Sequence, residues 1–413
     1  MGLRLLKVAL IVLDGLGDRR CKALGLRTPL QASRPCFFDR LAAEGETGLI
    51  HVIAPGIPNG SDTGHLALLG YDPYTYYTGR GPFEALGAGV ELKEGDVAFR
   101  CNFGTVSEDL VLVDRRAGRI STEEAEELAA ALQEVNLDGV EFIFKHTVEH
   151  RGVLVLRGEG LSHKVSNIDP HGVNVKIAPA QPLDDSDSAS RTAKILNKFL
   201  EKSQNVLAKH PVNLRRKQLG LPQANYVLTR GAGLAPKIPA FEQRFRLKPA
   251  VVAGGALYKG VAKALGFDLL EVEGATGTVN TNVAGKVRAL VDGLKKYDFI
   301  LLHYKATDTV SHDKKPLEKV AMIRRLAKAL ESVWEEMPEV YVAVTGDHTT
   351  PSEVGDHRGD PVPLLVWGPD IRGDNVKHFD EISCSMGGLG KIRGVDLMPI
   401  LGNYAGVMEM YGE

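Results

Sequence analysis

Unbroken apolar runs alternate with stretches of helical spacing at both ends of the chain, while the middle changes texture. Residues 8–13 are continuously apolar, which predicts a central parallel strand covered on both faces. Asp14-Gly15-Leu16-Gly17 then turns the chain away, so Asp14 is expected at a strand's carboxyl end. Residues 35–44 predict a short amphipathic helix and residues 51–54 a short strand. Asn59-Gly60-Ser61-Asp62-Thr63-Gly64-His65 follows, a hydroxyl between two glycines ahead of the apolar helix residues 66–69. Residues 71–89, rich in Gly, Pro and Tyr, read as a long ordered loop.

From residue 250 strand and helix alternate again. Strands are expected at 250–253, 269–272, 299–304, 340–344 and 363–367, with helices at 257–265, 281–295 and from Pro316. In that last helix Val320, Ile323, Leu326, Leu330 and Val333 keep helical spacing. This βαβ order predicts an α/β fold: a mostly parallel sheet flanked by helices, with ligands at its carboxyl edge. Between these halves lie short β-like runs at 97–103, 110–113, 141–145 and 153–156. A helix opens at Ser121-Thr122-Glu123-Glu124 with capping-box spacing, a polar linker covers 179–190, and a second helix spans about 189–208. The expected organisation is a core of 1–92 and 236–413, interrupted by a smaller α+β domain at 93–235.

Composition narrows the function classes. Lys and Arg total 50 against 52 Asp and Glu, a net charge of -2, which argues against nucleic acid as partner. The basic clusters Arg215-Arg216-Lys217 and Lys314-Lys315 are short and read as solvated faces. Four scattered cysteines suggest a reducing compartment with no disulfide framework. The apolar run near the N-terminus ends in Asp14 and reads as a buried strand rather than a signal peptide, and no run approaches the length of a membrane span. A cytoplasmic location is expected, and a homo-oligomer is left open.

The candidate chemistry gathers at predicted strand ends. Ser61, on a Gly-flanked turn before a helix, is the candidate nucleophile, and helix-end amides nearby suit phosphate. Nothing near it offers a triad base, so a metal is the expected activator. Asp14, the string Asp308-Thr309-Val310-Ser311-His312 and the pair Asp347-His348 all follow expected strands. Asp308 and His312, four apart, would face the same way on a helical turn. His357 sits on the loop leading into the last core strand. Alone, each is more often a turn former, a helix cap or a surface histidine. Four such features at one edge argue for a centre, and mixed carboxylate and imidazole donors suit Mn, Zn or Co better than Ca or an all-oxygen Mg site. The other histidines are taken as structural, with His65 and His163 the first exceptions.

The strings VLDGLGD, PNGSDTGHLALLGYDP, TGRGPFEALGAG, VAGGALYKG, EGATGT, HYKATDTVSHD, TGDHTTP and GDHRGDPVP run through nearly the whole chain. With them the sequence resembles the alkaline-phosphatase-like metalloenzyme superfamily, and within it the archaeal-type cofactor-independent phosphoglycerate mutases. The resemblance implies two divalent metal ions, Mn foremost with Co, Zn or Mg as alternatives, and no 2,3-bisphosphoglycerate. Asp308, His312 and His357 match the ligands of one ion; Asp14, Ser61, Asp347 and His348 match those of the other, with Ser61 becoming phosphorylated. It also implies a small-molecule phosphoglycerate substrate in glycolysis and gluconeogenesis, with the inserted domain retaining glycerate. For that domain no residue-by-residue match exists, and Arg151, His163, Asn167 and Lys259 are candidates for substrate binding from texture alone. The competing enzyme class is a phosphomonoester or phosphodiester hydrolase using the same Ser61 and metals. A non-catalytic phosphate-binding protein is the third reading.

Overall fold

The computed structural model describes residues 6–135, 137 and 139–412. They divide into two compact units, one taking its chain up to and including Tyr77 and again from Ile238 onward, the other spanning Thr78–Lys237. The opening residues of the N-terminal stretch considered above lie outside the described residues.

In the first unit the apolar runs pair into one sheet of eight strands. Their order is Asp268–Leu269, Pro249–Val252, Phe299–Tyr304, Lys7–Leu13, Val340–Thr345, Val362–Trp367, Glu46–His51 and Gly390–Arg393. The first five are parallel to one another. Val362–Trp367 runs antiparallel to both of its neighbours, and Gly390–Arg393 is parallel to Glu46–His51. The sheet is therefore mostly parallel with one reversed strand. Val8 pairs with Phe299 on one side and Tyr341 on the other, and residues 8–13 are buried on both faces, which is why their sequence is a continuous apolar run.

Reversal of one strand changes where its loops go. The carboxyl ends of the parallel strands face the same way as the amino end of Val362–Trp367, so a residue just ahead of that strand reaches the edge that follows the others. Helices Pro316–Glu331 and Val283–Gly293 contribute Ile323, Leu326, Leu330, Val287 and Leu290 to the core against this sheet.

Two local expectations are corrected. The strand placed at 51–54 is Glu46–His51, because pairing to two neighbours fixes it there. Gly48 is needed in it, since a Cβ would lie 2.7 Å from the Gly390 carbonyl oxygen. The loop at 71–89 contains two short helices, Pro73–Tyr76 and Arg80–Gly87.

The second unit begins at Thr78 rather than near 93, because Arg80–Gly87 packs on its sheet. A Cβ on Gly81 would sit 2.1 Å from the Ala98 carbonyl oxygen, so backbone approaches backbone there. All pairings are antiparallel: Val97–Val106 is flanked by Arg151–Arg157 and by Tyr226–Leu234, a strand missing from the sequence reading. Helices Thr122–Leu132 and Asp187–Lys209 cover the sheet through a core that includes stacked Phe142 and Phe199 rings. Arg216 is also corrected: it is 4% exposed, donating to the Pro222 and Ala117 carbonyls and pairing with Glu124. Among the described residues no helix is long and apolar enough to cross a membrane.

Candidate metal centre

Ser61 is the first residue of the helix Ser61–Leu68, capped by Gly60, and is 4% exposed. Its Oγ lies 3.2 Å from His348 Nε2 and 3.4 Å from the Tyr258 hydroxyl, which donates to it. Asp14 closes the strand Lys7–Leu13; its Oδ1 is 3.3 Å from His348 Nε2. The helix Ala306–His312 holds Asp308 and His312 one turn apart, with His312 Nε2 3.3 Å from Asp308 Oδ2. His357 Nε2 lies 3.7 Å from Asp308 Oδ1 and 3.2 Å from His312 Nε2.

Two clusters of possible metal ligands result: Asp308 with His312 and His357, and Asp14 with Asp308 and His348. Asp308 is common to both. Asp347 Oδ1 accepts the Gly15 N–H, whereas its buried Oδ2 has no hydrogen-bond partner, with His65 and His348 nitrogens at 3.4 and 3.5 Å. A buried carboxylate oxygen without a donor is costly unless a cation or proton fills the gap.

The imidazoles are oriented alike. His312 Nδ1 faces the Gly355 carbonyl at 2.9 Å and His357 Nδ1 the Asn59 carbonyl at 2.7 Å. A carbonyl only accepts, so each Nδ1 carries a proton, which leaves Nε2 as the nitrogen that can take a cation. His348 Nδ1 is protonated through a relay, because Thr350 Oγ1 donates to Asp308 Oδ1 and so accepts from His348 Nδ1 at 2.9 Å, which again leaves Nε2 as the nitrogen a cation would use. Three Nε2 atoms beside buried carboxylates form a donor set that fits divalent transition metals.

Electrostatics agree with that fit. Burial alone would raise the Asp14 and Asp308 carboxyls, yet the Lys305 charge and neighbouring imidazoles hold both well below the usual range. Burial would lower His348, but Asp347 and Asp14 outweigh it and push the imidazole up to about 9. Without a metal ion the cluster thus draws a proton onto the nitrogen a cation would use.

Some participants carried no signal. His303, taken as structural from sequence, donates from Nε2 to Asp14 Oδ2 at 2.8 Å and stacks on Tyr258 with centroids 3.5 Å apart. Burial pushes it down to about 4, so it is neutral near pH 7. His65, flagged as an exception, directs Nδ1 to the Ser61 carbonyl at 2.7 Å. Lys319 is fully buried; its Nζ meets Asp18 Oδ2 at 2.9 Å and the carbonyls of Gly15, Gly17 and Thr350. It stands at 319 ahead of 323, 326 and 330, on the apolar stripe, and a lysine there was the available sign of a buried partner.

The second unit has a cluster of arginines. Arg80 pairs with Glu84, Arg115 with Asp169, and Arg230 lies 2.6 Å from His171 Nε2. Burial pushes Arg100 down to about 9 even with Glu84 beside it, and the charges of Arg80, Arg230 and Arg151 add to the shift. Of the four substrate candidates, Arg151 belongs to this group, and Asn167 accepts the Gly231 N–H beside Arg230. His163 instead lies near Lys164 and Asp184, and Lys259, in the first unit, pairs with Glu271 at 2.7 Å.

A serine hydroxyl among carboxylates and imidazole nitrogens, at the strand-end edge of an α/β sheet, is the arrangement that a metal-assisted hydroxyl nucleophile requires. The family model for 2,3-bisphosphoglycerate-independent phosphoglycerate mutase matches residues 42–213. A protein of that name from Methanocaldococcus jannaschii is 50% identical over 98% of this chain and 99% of its own. Another from Pyrococcus horikoshii is 49% identical over 98% of each. The solved cofactor-independent phosphoglycerate mutase of Thermoplasma acidophilum aligns with TM-score 0.71 at 38% identity, covering 97% of this chain and 100% of that one. The chain belongs to the 2,3-bisphosphoglycerate-independent phosphoglycerate mutase family.

Proposed function

We propose that this protein interconverts 2-phosphoglycerate and 3-phosphoglycerate without 2,3-bisphosphoglycerate, through a phosphoserine at Ser61. The observation that carries the reading is the setting of Ser61 Oγ, buried and 3.2 Å from His348 Nε2 beside the two ligand clusters, in a chain of this family. Two divalent ions held by Asp308, His312 and His357 and by Asp14, Ser61, Asp347 and His348 would supply the charge that acidifies the hydroxyl and balances the phosphoryl oxygens; the donor set favours manganese, with cobalt, zinc or magnesium as alternatives.

Ser61 Oγ gives up its proton and forms a bond to phosphorus as the bond to the substrate's carbon-bound oxygen breaks. The freed glycerate takes up a proton there and reorients; its other hydroxyl then loses its proton as it takes the phosphoryl group back, and the released Ser61 Oγ is reprotonated. Retaining glycerate between these steps requires groups that grip its carboxylate and exclude water. The arginines at 80, 100, 115, 151 and 230, with Asn167, are the groups assigned to that task, because guanidinium forks match carboxylates and phosphates. A cytoplasmic location, alongside the other steps of glycolysis and gluconeogenesis, goes with this reading.

Family membership favours this reading over a hydrolase. Phosphorus NMR of 3-phosphoglycerate with the manganese-loaded protein tests it: 2-phosphoglycerate should grow in without added bisphosphoglycerate, and inorganic phosphate in its place would identify a hydrolase. Ser61→Ala should lower turnover by at least about a thousandfold while keeping the fold, the scale seen when a nucleophile is removed. Appreciable mutase activity in that variant would end the phosphoserine mechanism.

A further inference from the structure

Lys305 follows the strand Phe299–Tyr304 and stands at the start of the helix Ala306–His312. Its Nζ lies 3.2 Å from Asp14 Oδ1 and 2.5 Å from Asp308 Oδ2. Those two carboxylates belong to the two ligand clusters, and Asp14 Oδ1 also lies 3.3 Å from His348 Nε2. The other nearby lysine provides a contrast. Lys319 is sealed in and surrounded by four oxygens, a permanent internal brace. Lys305 is 23% exposed at its side chain, so part of it reaches solvent where Lys319 is wholly buried.

We propose that Lys305 is a built-in counter-ion that bridges Asp14 and Asp308 in the metal-free protein and competes with divalent metal for them. The inference rests on the reading of Asp14 and Asp308 as metal ligands. An ammonium group satisfies two buried carboxylates that would otherwise repel each other, which keeps the unloaded centre folded. The same oxygens cannot serve the lysine and a metal ion at full strength, so the lysine sets how tightly metal is held. Lys305 is a positioning residue in this account and need not touch substrate.

Removing the charge should therefore move two quantities in opposite directions. Lys305→Met should lower the melting temperature of the chelator-stripped protein and tighten manganese binding by tenfold or more. A lysine that merely props up the structure would, on removal, weaken both. The experiment measures manganese affinity by chelator competition, read from the electron paramagnetic resonance signal of free Mn2+, on wild type, Lys305→Met and Lys305→Arg. Lys305→Arg should retain most of the metal-free stability and stay within a few fold of wild-type affinity. Should Lys305→Met not survive stripping, its dissociation constant can be read by competing metal away from protein purified loaded with manganese. Equal or weaker manganese affinity in Lys305→Met overturns the proposal while leaving the metal site in place. Absence of manganese binding by the wild type would overturn the metal-site reading itself, and the inference with it.

Discussion

Removing the buried ammonium at Lys319 is the sharpest test of how the loops carrying Asp14 and the Asp347-His348 pair are held. Its Nζ donates to Gly15 and Gly17 carbonyls at 2.8 and 3.2 Å, to Thr350 at 3.1 Å and to Asp18 Oδ2 at 2.9 Å. One side chain thus joins the turn after Asp14 to the segment after Asp347 and His348. Breaking a buried ion pair from one side costs about 3–5 kcal/mol, because the remaining charge stays buried. Asp18 keeps donors from Arg19 N, Ser352 N and Ser352 Oγ, which partly satisfy it, so Lys319→Met should fall near the lower end, about 3 kcal/mol. Adding Asp18→Asn should recover part of the loss, giving a coupling energy on the order of 1–3 kcal/mol in a double-mutant cycle. The readout is urea unfolding followed by tryptophan fluorescence. Both tryptophans, Trp334 and Trp367, lie in the first unit with ring centres 4.9 Å apart, so the signal reports the unit that contains Lys319. A loss below about 1 kcal/mol for Lys319→Met, or strictly additive single mutants, would refute the account of a buried brace.

His303→Gln removes the imidazole that donates to Asp14 Oδ2 and should weaken manganese binding about 10–100-fold, measured by calorimetry; unchanged affinity would make His303 a packing residue only. Glu381 offers a pH test. Its carboxyl accepts from Asp18 N and Thr28 Oγ1, and burial pushes it from 4.5 up to about 7. Between those values the folded protein keeps the proton and the unfolded chain releases it, so the stability due to the neutral acid is full below 4.5 and is lost as pH rises through 7. Glu381→Gln should therefore stabilise by on the order of 2 kcal/mol at pH 8, the residue's partial exposure reducing the full shift, and by almost nothing at pH 4.5. Equal effects at both pH values in urea unfolding would contradict this.

Much of the core was readable because burial on both faces writes itself into sequence as an unbroken apolar run, as at residues 8–13 and 299–304. Strand ends then located Asp14, Asp308, Asp347 and His348. Direction was less readable: residues 363–367 look like any other buried strand, and only pairing shows that the strand runs backwards. Glu46–His51 was misplaced because Gly48, required by close backbone approach, dilutes its strand pattern. Lys305 and His303 carried no usable signal, since their roles depend on Asp14 nearly three hundred residues away, at separations of 291 and 289. Arg216 misled in the other direction: its neighbours Arg215 and Lys217 are exposed, and a basic triplet does not reveal which member faces inward.

The reversed strand also affects how the centre can assemble. Val340–Thr345 and Val362–Trp367 are adjacent and antiparallel, so residues 346–361 form one excursion whose two ends meet. Asp347, His348 and His357 all ride on it. Closing such a short loop costs little chain entropy, and the logarithmic dependence on length makes the docking of Asp14 and Asp308 the larger entropic step. The candidate centre is thus divided by contact order, with Asp347, His348 and His357 carried together on one local excursion and Asp14, Ser61, Asp308 and His312 brought in from other parts of the chain.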